Sequence, residues 1–227
     1  MKYGESIFDI LYLAFAITAG VLLLVKKRGK AAFLMGIATL ALGVGDAFHL
    51  IPRVLRYFSE GDYTFYLGLG KLITSVTMTA FYVLMYRLWL LVYEKEENKP
   101  LSFTVYALAL LRVILCALPQ NQWFSGEGSV LWGILRNIPF VALGGIIVWL
   151  FFVTRREKKT FASVWMLVTL SFLFYIPVAV AASLVPLLGM LMMPKTVCYI
   201  LLIALFLRYA FANGGNSSDD PLKGEGK

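Results

Sequence analysis

The residues in this chain best equipped for chemistry stand together in the stretch 42–53, LGVGDAFHLIPR. Asp46, His49 and Arg53 are spaced three and then four apart, so on a helix they share one face. An imidazole titrates near neutrality and a carboxylate one turn away could orient it. Asp46 and His49 are therefore a candidate acid/base pair. The stretch closes a long apolar run, where ionisable groups are expensive and are kept for ion pairing or for function. Pro52 is expected to end the helix that carries them.

The elements that position these residues follow from composition. Of 227 residues, 60% are apolar and 15% charged, with a mean hydropathy of +0.78. Soluble domains run at roughly 45–50% apolar and about 25% charged. The chain reads as a multi-pass protein of the cell membrane, long enough for about seven spans of roughly 20 residues and no separate soluble domain. The net charge of +8 lies largely in loops beside apolar runs. There it sets topology and meets anionic lipid, so it points to a bilayer partner and not to nucleic acid. Cys116 and Cys198 fall inside apolar runs and read as small buried hydrophobes, not as a disulfide. Asp46 and His49 fall short of the three or four ligands a zinc site needs, so no metal and no cofactor is expected.

Spans are expected at residues 6–25, 31–51, 63–92, 101–118, 130–153, 161–183 and 188–211. That predicts an all-α fold, a single bundle of seven transmembrane helices over residues 1–211. A cytoplasmic tail at 212–227 has the Gly, Ser and Asp content of disorder. Its Asn216-Ser217-Ser218 triplet reads as a chance glycosylation match. The first span is not read as a cleaved signal peptide, because Glu5 and Asp9 stand where basic residues belong. Glu5, Asp9 and Tyr12 share a face. Trp123 and Phe124 read as an interfacial aromatic pair, and Tyr175 with Pro177 as the mark of a kink in the sixth span.

Lys26, Lys27, Arg28, Lys30, Lys95, Lys99, Arg155, Arg156, Lys158, Lys159, Arg208, Lys223 and Lys227 all fall on one side. Only Lys2, Arg53 and Arg56 fall on the other. The positive-inside rule puts the N-terminus outside and the C-terminus in the cytoplasm. No repeat of 20–50 residues is visible.

With spans alternating in direction, the polar residues inside them reach similar depth. Asp46 and His49 come late in the second span, and Lys71 and Ser75 early in the third. Arg112 comes late in the fourth, while Arg136 and Asn137 open the fifth. Tyr175 lies in the outer half of the sixth, and Lys195 and Tyr199 are early in the seventh. Two readings compete. In one, Asp46 with Lys71, or Asp9 with Lys195, neutralise each other and lock the bundle. In the other, these groups line a water-accessible pocket opening outwards. The basic members outnumber the deep acids Asp9 and Asp46, and surplus cations in low dielectric invite an anion such as a phosphate or carboxylate head group. That favours the pocket.

Ser75 is the best-placed hydroxyl, one turn from Lys71, although a small residue there more commonly serves helix packing. Gly43, Gly45, Gly68 and Gly70 read as close helix contacts. No GxSxG, HExxH or glycine-rich phosphate loop is present.

Gly45-Asp46 closing the second span, followed by Phe65-Tyr66-Leu67-Gly68-Leu69 opening the third, resembles the lysoplasmalogenase-like YhhN family of membrane proteins. The resemblance covers about 30 residues and implies hydrolysis of a lysolipid vinyl ether at a site containing Asp46. That family generally has eight spans, and spans five to seven here lack its second aspartate. A second resemblance, to rhodopsin-like proteins, rests on seven spans, an outside N-terminus and Lys195 in the last helix. It implies retinal held there as a Schiff base.

The expectation is a membrane-embedded hydrolase acting on an anionic, lipid-like amphiphile. Asp46 and His49 would handle protons; Lys71, Ser75, Arg112, Arg136, Asn137, Tyr175, Lys195 and Tyr199 would bind substrate. The alternative is a seven-helix sensor or transporter using the same pocket without catalysis.

Overall fold

The computed structural model describes residues 2–25, 29–125, 129–181 and 185–213. Those residues form seven long helices joined by short connections: α1 (Lys2–Val25), α2 (Lys30–Phe58), α3 (Thr64–Val92), α4 (Lys99–Ala117), α5 (Val130–Val153), α6 (Val164–Ala181) and α7 (Met192–Asn213). Seven helical segments are long and apolar enough to cross a membrane. Lys26, Lys27, Arg28, Ser183 and the tail with Lys223, Lys227 and the Asn216-Ser217-Ser218 triplet lie outside the described residues.

Each helix packs on the next, and α7 returns to α1 to close the ring; α3 also reaches α5, and α2 reaches α7. The central core is aromatic, built on Phe81, Tyr82, Tyr86, Phe151, Phe161 and Phe206. A smaller cluster of Tyr12, Leu13, Ala16, Ala19 and Ile203 joins α1 to α7. Side-chain caps fix two helix starts: Asn98 accepts the Leu101 N–H before α4, and Ser129 accepts the Trp132 N–H before α5. At the mouth of α3, the bonds from the Thr64 side chain and backbone to Asp62 hold that carboxyl below its ordinary value.

Pro52 does not end its helix. α2 runs through it for six further residues, to Phe58, so the turn between α2 and α3 is shorter than expected and Arg53 is helical. A proline inside a helix leaves the carbonyl four residues earlier without its N–H partner, here that of Phe48. The Phe48 carbonyl faces Gly70 of α3, where a side chain would collide with it. A glycine that lets two backbones close up in this way gives the freed oxygen a Cα–H contact in place of an N–H. Gly43 packs on Ala16 and Ile17 of α1, Gly45 on Thr77, and Gly68 on the Trp123 carbonyl. All four glycines are close contacts.

Candidate functional site

At the end of the bundle shared by the C-terminal halves of α2, α4 and α6 and the N-terminal halves of α3, α5 and α7 lies a cavity of about 290 Å³. His49, Lys71, Ser75, Arg112, Arg136, Asn137, Tyr175 and Lys195 all line it. Six helices thus bring together eight of the ten residues singled out in the sequence. Asp46 stands beside this cavity, in an annex of about 80 Å³ that shares His49, Thr74, Met192 and Lys195 with it. Tyr199 does not line either space. Its hydroxyl is buried one turn deeper, 3.2 Å from that of Tyr82.

Among the described residues, no Asp or Glu lines the main cavity, whereas Lys71, Arg112, Arg136 and Lys195 all do. Arg112 is the extreme case. It is 2% exposed, its guanidinium carbon lies 3.2 Å from the centre of the Phe140 ring, and its Nε and Nη1 have no hydrogen-bond partner among the described residues. A cation–π contact offsets about 2 kcal/mol of desolvation. Two guanidinium nitrogens without a partner leave hydrogen-bonding capacity that an anion such as a carboxylate or phosphate could take up.

Arg136 is held differently. Its Nη1 donates to Asn121 Oδ1 at 2.7 Å and its plane lies 4.2 Å from the Trp123 ring. Asn121, 1% exposed, is in turn fixed by donating to the Leu115 and Leu118 carbonyls at the end of α4. Trp123 is therefore part of the cavity wall, while Phe124 stacks on Phe65, 5.0 Å between ring centres. Lys195 Nζ sits 4.8 Å from the Tyr175 ring and 5.6 Å from the Tyr199 ring. Tyr175 donates to Asn137 Oδ1 at 2.7 Å.

The expected neutralising pairs do not form. Asp9 binds Arg53 at 2.6 Å, not Lys195, and Arg53 also reaches Glu5 at 3.4 Å. Asp46 pairs with neither Lys71 nor His49, because the Tyr12 hydroxyl donates to its Oδ2 at 2.7 Å. The Glu5, Asp9 and Tyr12 face of α1 thus meets Tyr57, Arg53 and Asp46 of α2 in antiparallel order. Helical spacing put Asp46 and His49 on one face, but a neighbouring helix claimed the carboxylate.

His49 is oriented instead by the Leu67 backbone. The Leu67 N–H already serves Tyr63, so the carbonyl is the group left to accept from the imidazole. The other nitrogen, Nδ1, is buried and unpartnered among the described residues. An imidazole whose N–H is committed elsewhere presents a free lone pair. The Ser75 hydroxyl donates back to the Lys71 carbonyl at 2.8 Å.

Thr74, Met78, Phe140, Val178, Ala179 and Met192 also line the cavity. Thr74 and Met78 were within reach of the sequence, since they share a helical face with Lys71. The others needed the packing. Among the described residues, no three His, Cys, Asp or Glu side chains gather as a metal site would require. Comparison with models of protein families, with curated proteins and with solved structures returns no match.

Proposed function

We propose that the seven helices span the cell membrane, with the N-terminus outside, and that the cavity is an outward-facing chamber for the anionic head of an amphiphile, whose hydrolysis Asp46 and His49 serve. The orientation is supported by the end of the bundle away from the chamber, which carries Lys30, Lys95, Lys99, Arg155, Arg156, Lys158 and Lys159. Large apolar side chains such as Phe33, Leu110, Trp149 and Leu173 face outwards along the helices, as lipid contact demands.

The observation that carries the reading is Arg112, a buried guanidinium without an ion-pair partner among the described residues, beside a cavity that holds three more basic side chains. A group of that kind is retained at a cost in stability and is repaid when an anion arrives. His49, which lines the same space, is the acceptor for a proton taken from attacking water. Asp46, in the annex, is the second proton-handling group. The YhhN-type resemblance supports the same class of reaction, with Asp46 as the carried-over residue.

The test is direct. Protein in nanodiscs is incubated with lysoplasmalogen and with lysophosphatidylglycerol, and products are followed by mass spectrometry. Turnover should fall at least a hundredfold in Asp46→Asn and in His49→Ala while both variants elute as folded protein. Head-group binding without turnover would replace the hydrolase with a sensor or transporter. Loss of neither binding nor turnover in Arg112→Gln would end the anion reading.

The retinal reading has one observation in its favour, Lys195 resting among the Tyr175 and Tyr199 rings. Against it, Lys71, Arg112 and Arg136 occupy the wall along which an apolar polyene would lie. Purified protein should be colourless. A visible band bleached by hydroxylamine would reverse that preference.

A further inference from the structure

Beside the chamber, a second space of about 440 Å³ runs between α5 and α6, and its wall is wholly apolar. Ile138, Val141, Ala142 and Ile176 form much of it, and all four are exposed on the outside of the bundle. This groove adjoins the chamber at Asn137, Tyr175 and Ala179, which line both. On its other side, the chamber shares Lys71, Trp123 and Arg136 with a polar vestibule of about 130 Å³ that also holds Arg56 and Gln122. Three adjoining spaces therefore stand in a row, two of them lined by basic side chains and the third apolar. That order matches a molecule with a wet charged end and one hydrocarbon chain.

We propose that the α5–α6 groove is the seat of the acyl chain of a single-chain anionic amphiphile, which enters the chamber sideways from the bilayer. The inference rests on the anion reading above and adds to it the chain, its place and its route. The Tyr175–Asn137 hydrogen bond stands at the junction as the bar between groove and chamber. Both helices are loosened next to it. Pro139 stands two residues after Asn137 and Pro177 two after Tyr175, each inside its helix. Each proline removes one backbone hydrogen bond, so the two walls of the junction can part at less cost than regular helices. The groove offers nothing charged to a head group, whereas the chamber sets four basic side chains among its apolar ones. Only an occupant laid across both satisfies each surface.

The probe is lysophosphatidylglycerol carrying a diazirine in its acyl chain, added to the full chain in phosphatidylcholine nanodiscs and mapped by mass spectrometry after irradiation. Adducts should concentrate on residues 134–142 and 176–180, compete with unlabelled lysophosphatidylglycerol, and fall at least tenfold in Arg112→Gln. Ala142→Trp, which fills the groove from its exposed side, should cut these adducts at least fivefold. Arg136→Gln gives a second head-pocket variant should Arg112→Gln fail to fold. Adducts spread over other helix faces, yet still lost in the arginine variants, would overturn the groove and leave the anionic chamber standing. Labelling indifferent to both arginines would overturn the chamber reading, and the groove inference with it. Tyr175→Phe, which removes the bar, should speed labelling; unchanged labelling rates would remove the gate.

Discussion

At the residue scale, Arg112 sets stability against function. Burying a guanidinium with two unpartnered nitrogens costs more than its contact with Phe140 returns. Arg112→Met should therefore stabilise the ligand-free protein, by about 1–2 kcal/mol in denaturant titration, while binding of lysophosphatidylglycerol weakens at least tenfold. A loss of stability in the Arg112→Met variant would mean that an internal partner satisfies the arginine. Ser75 gives the opposite kind of test. Its hydroxyl is committed to the Lys71 carbonyl, so Ser75→Ala should leave turnover within about twofold. A loss comparable to that of His49→Ala would restore Ser75 as a nucleophile. The chamber's membership was legible because helix direction and spacing alone bring Lys71, Arg112, Arg136 and Lys195 to one level. The Asp46–His49 pairing was not, because nothing in the local sequence announces that Tyr12, thirty-four residues earlier, takes the carboxylate.

At the scale of elements, close backbone approach and one ion-pair ladder hold the site in register. Gly144 and Gly145 are adjacent yet face different surroundings. A methyl at Gly144 would strike the Phe172 ring, while at Gly145 it would meet nothing. Gly144→Ala should destabilise by about 1–3 kcal/mol, and Gly145→Ala should stabilise by roughly 0.5–1 kcal/mol, as helix propensity predicts. Equal effects at the two positions would disprove the α5–α6 packing on which the chamber wall depends. On the other side, Arg53 bridges two acids of α1. Arg53→Met should cost about 3 kcal/mol, because it strands Asp9. Adding Asp9→Asn should recover a large part of that loss, and independent, additive effects would refute the pairing. Pro52 shows why such elements resist reading from sequence. A proline halts or passes according to whether a partner accepts the freed carbonyl, and here the partner is Gly70 on another helix.

For the molecule as a whole, the seven-helix plan was the most readable feature, since apolar length alone dictates it. The expected spans match the helices within a few residues at most ends. Orientation is testable at the same scale. A green fluorescent protein fused to the C-terminus should fluoresce in a bacterial host, and alkaline phosphatase fused there should be inactive; the reverse pattern would turn the chamber to the cytoplasm. Adjoining cavities were out of reach of the sequence, because a void is defined by what several helices fail to fill.

Trp123 lies under the Arg136 guanidinium, with its indole Nε1 bonded to the Cys116 carbonyl at 2.8 Å. Any molecule that draws that arginine away must change the electric field on the indole. The protein thus carries its own optical gauge. Titration with an anion would shift the tryptophan emission, the shift would be lost in Trp123→Phe while the other four tryptophans still emit, and occupancy could be followed without a label.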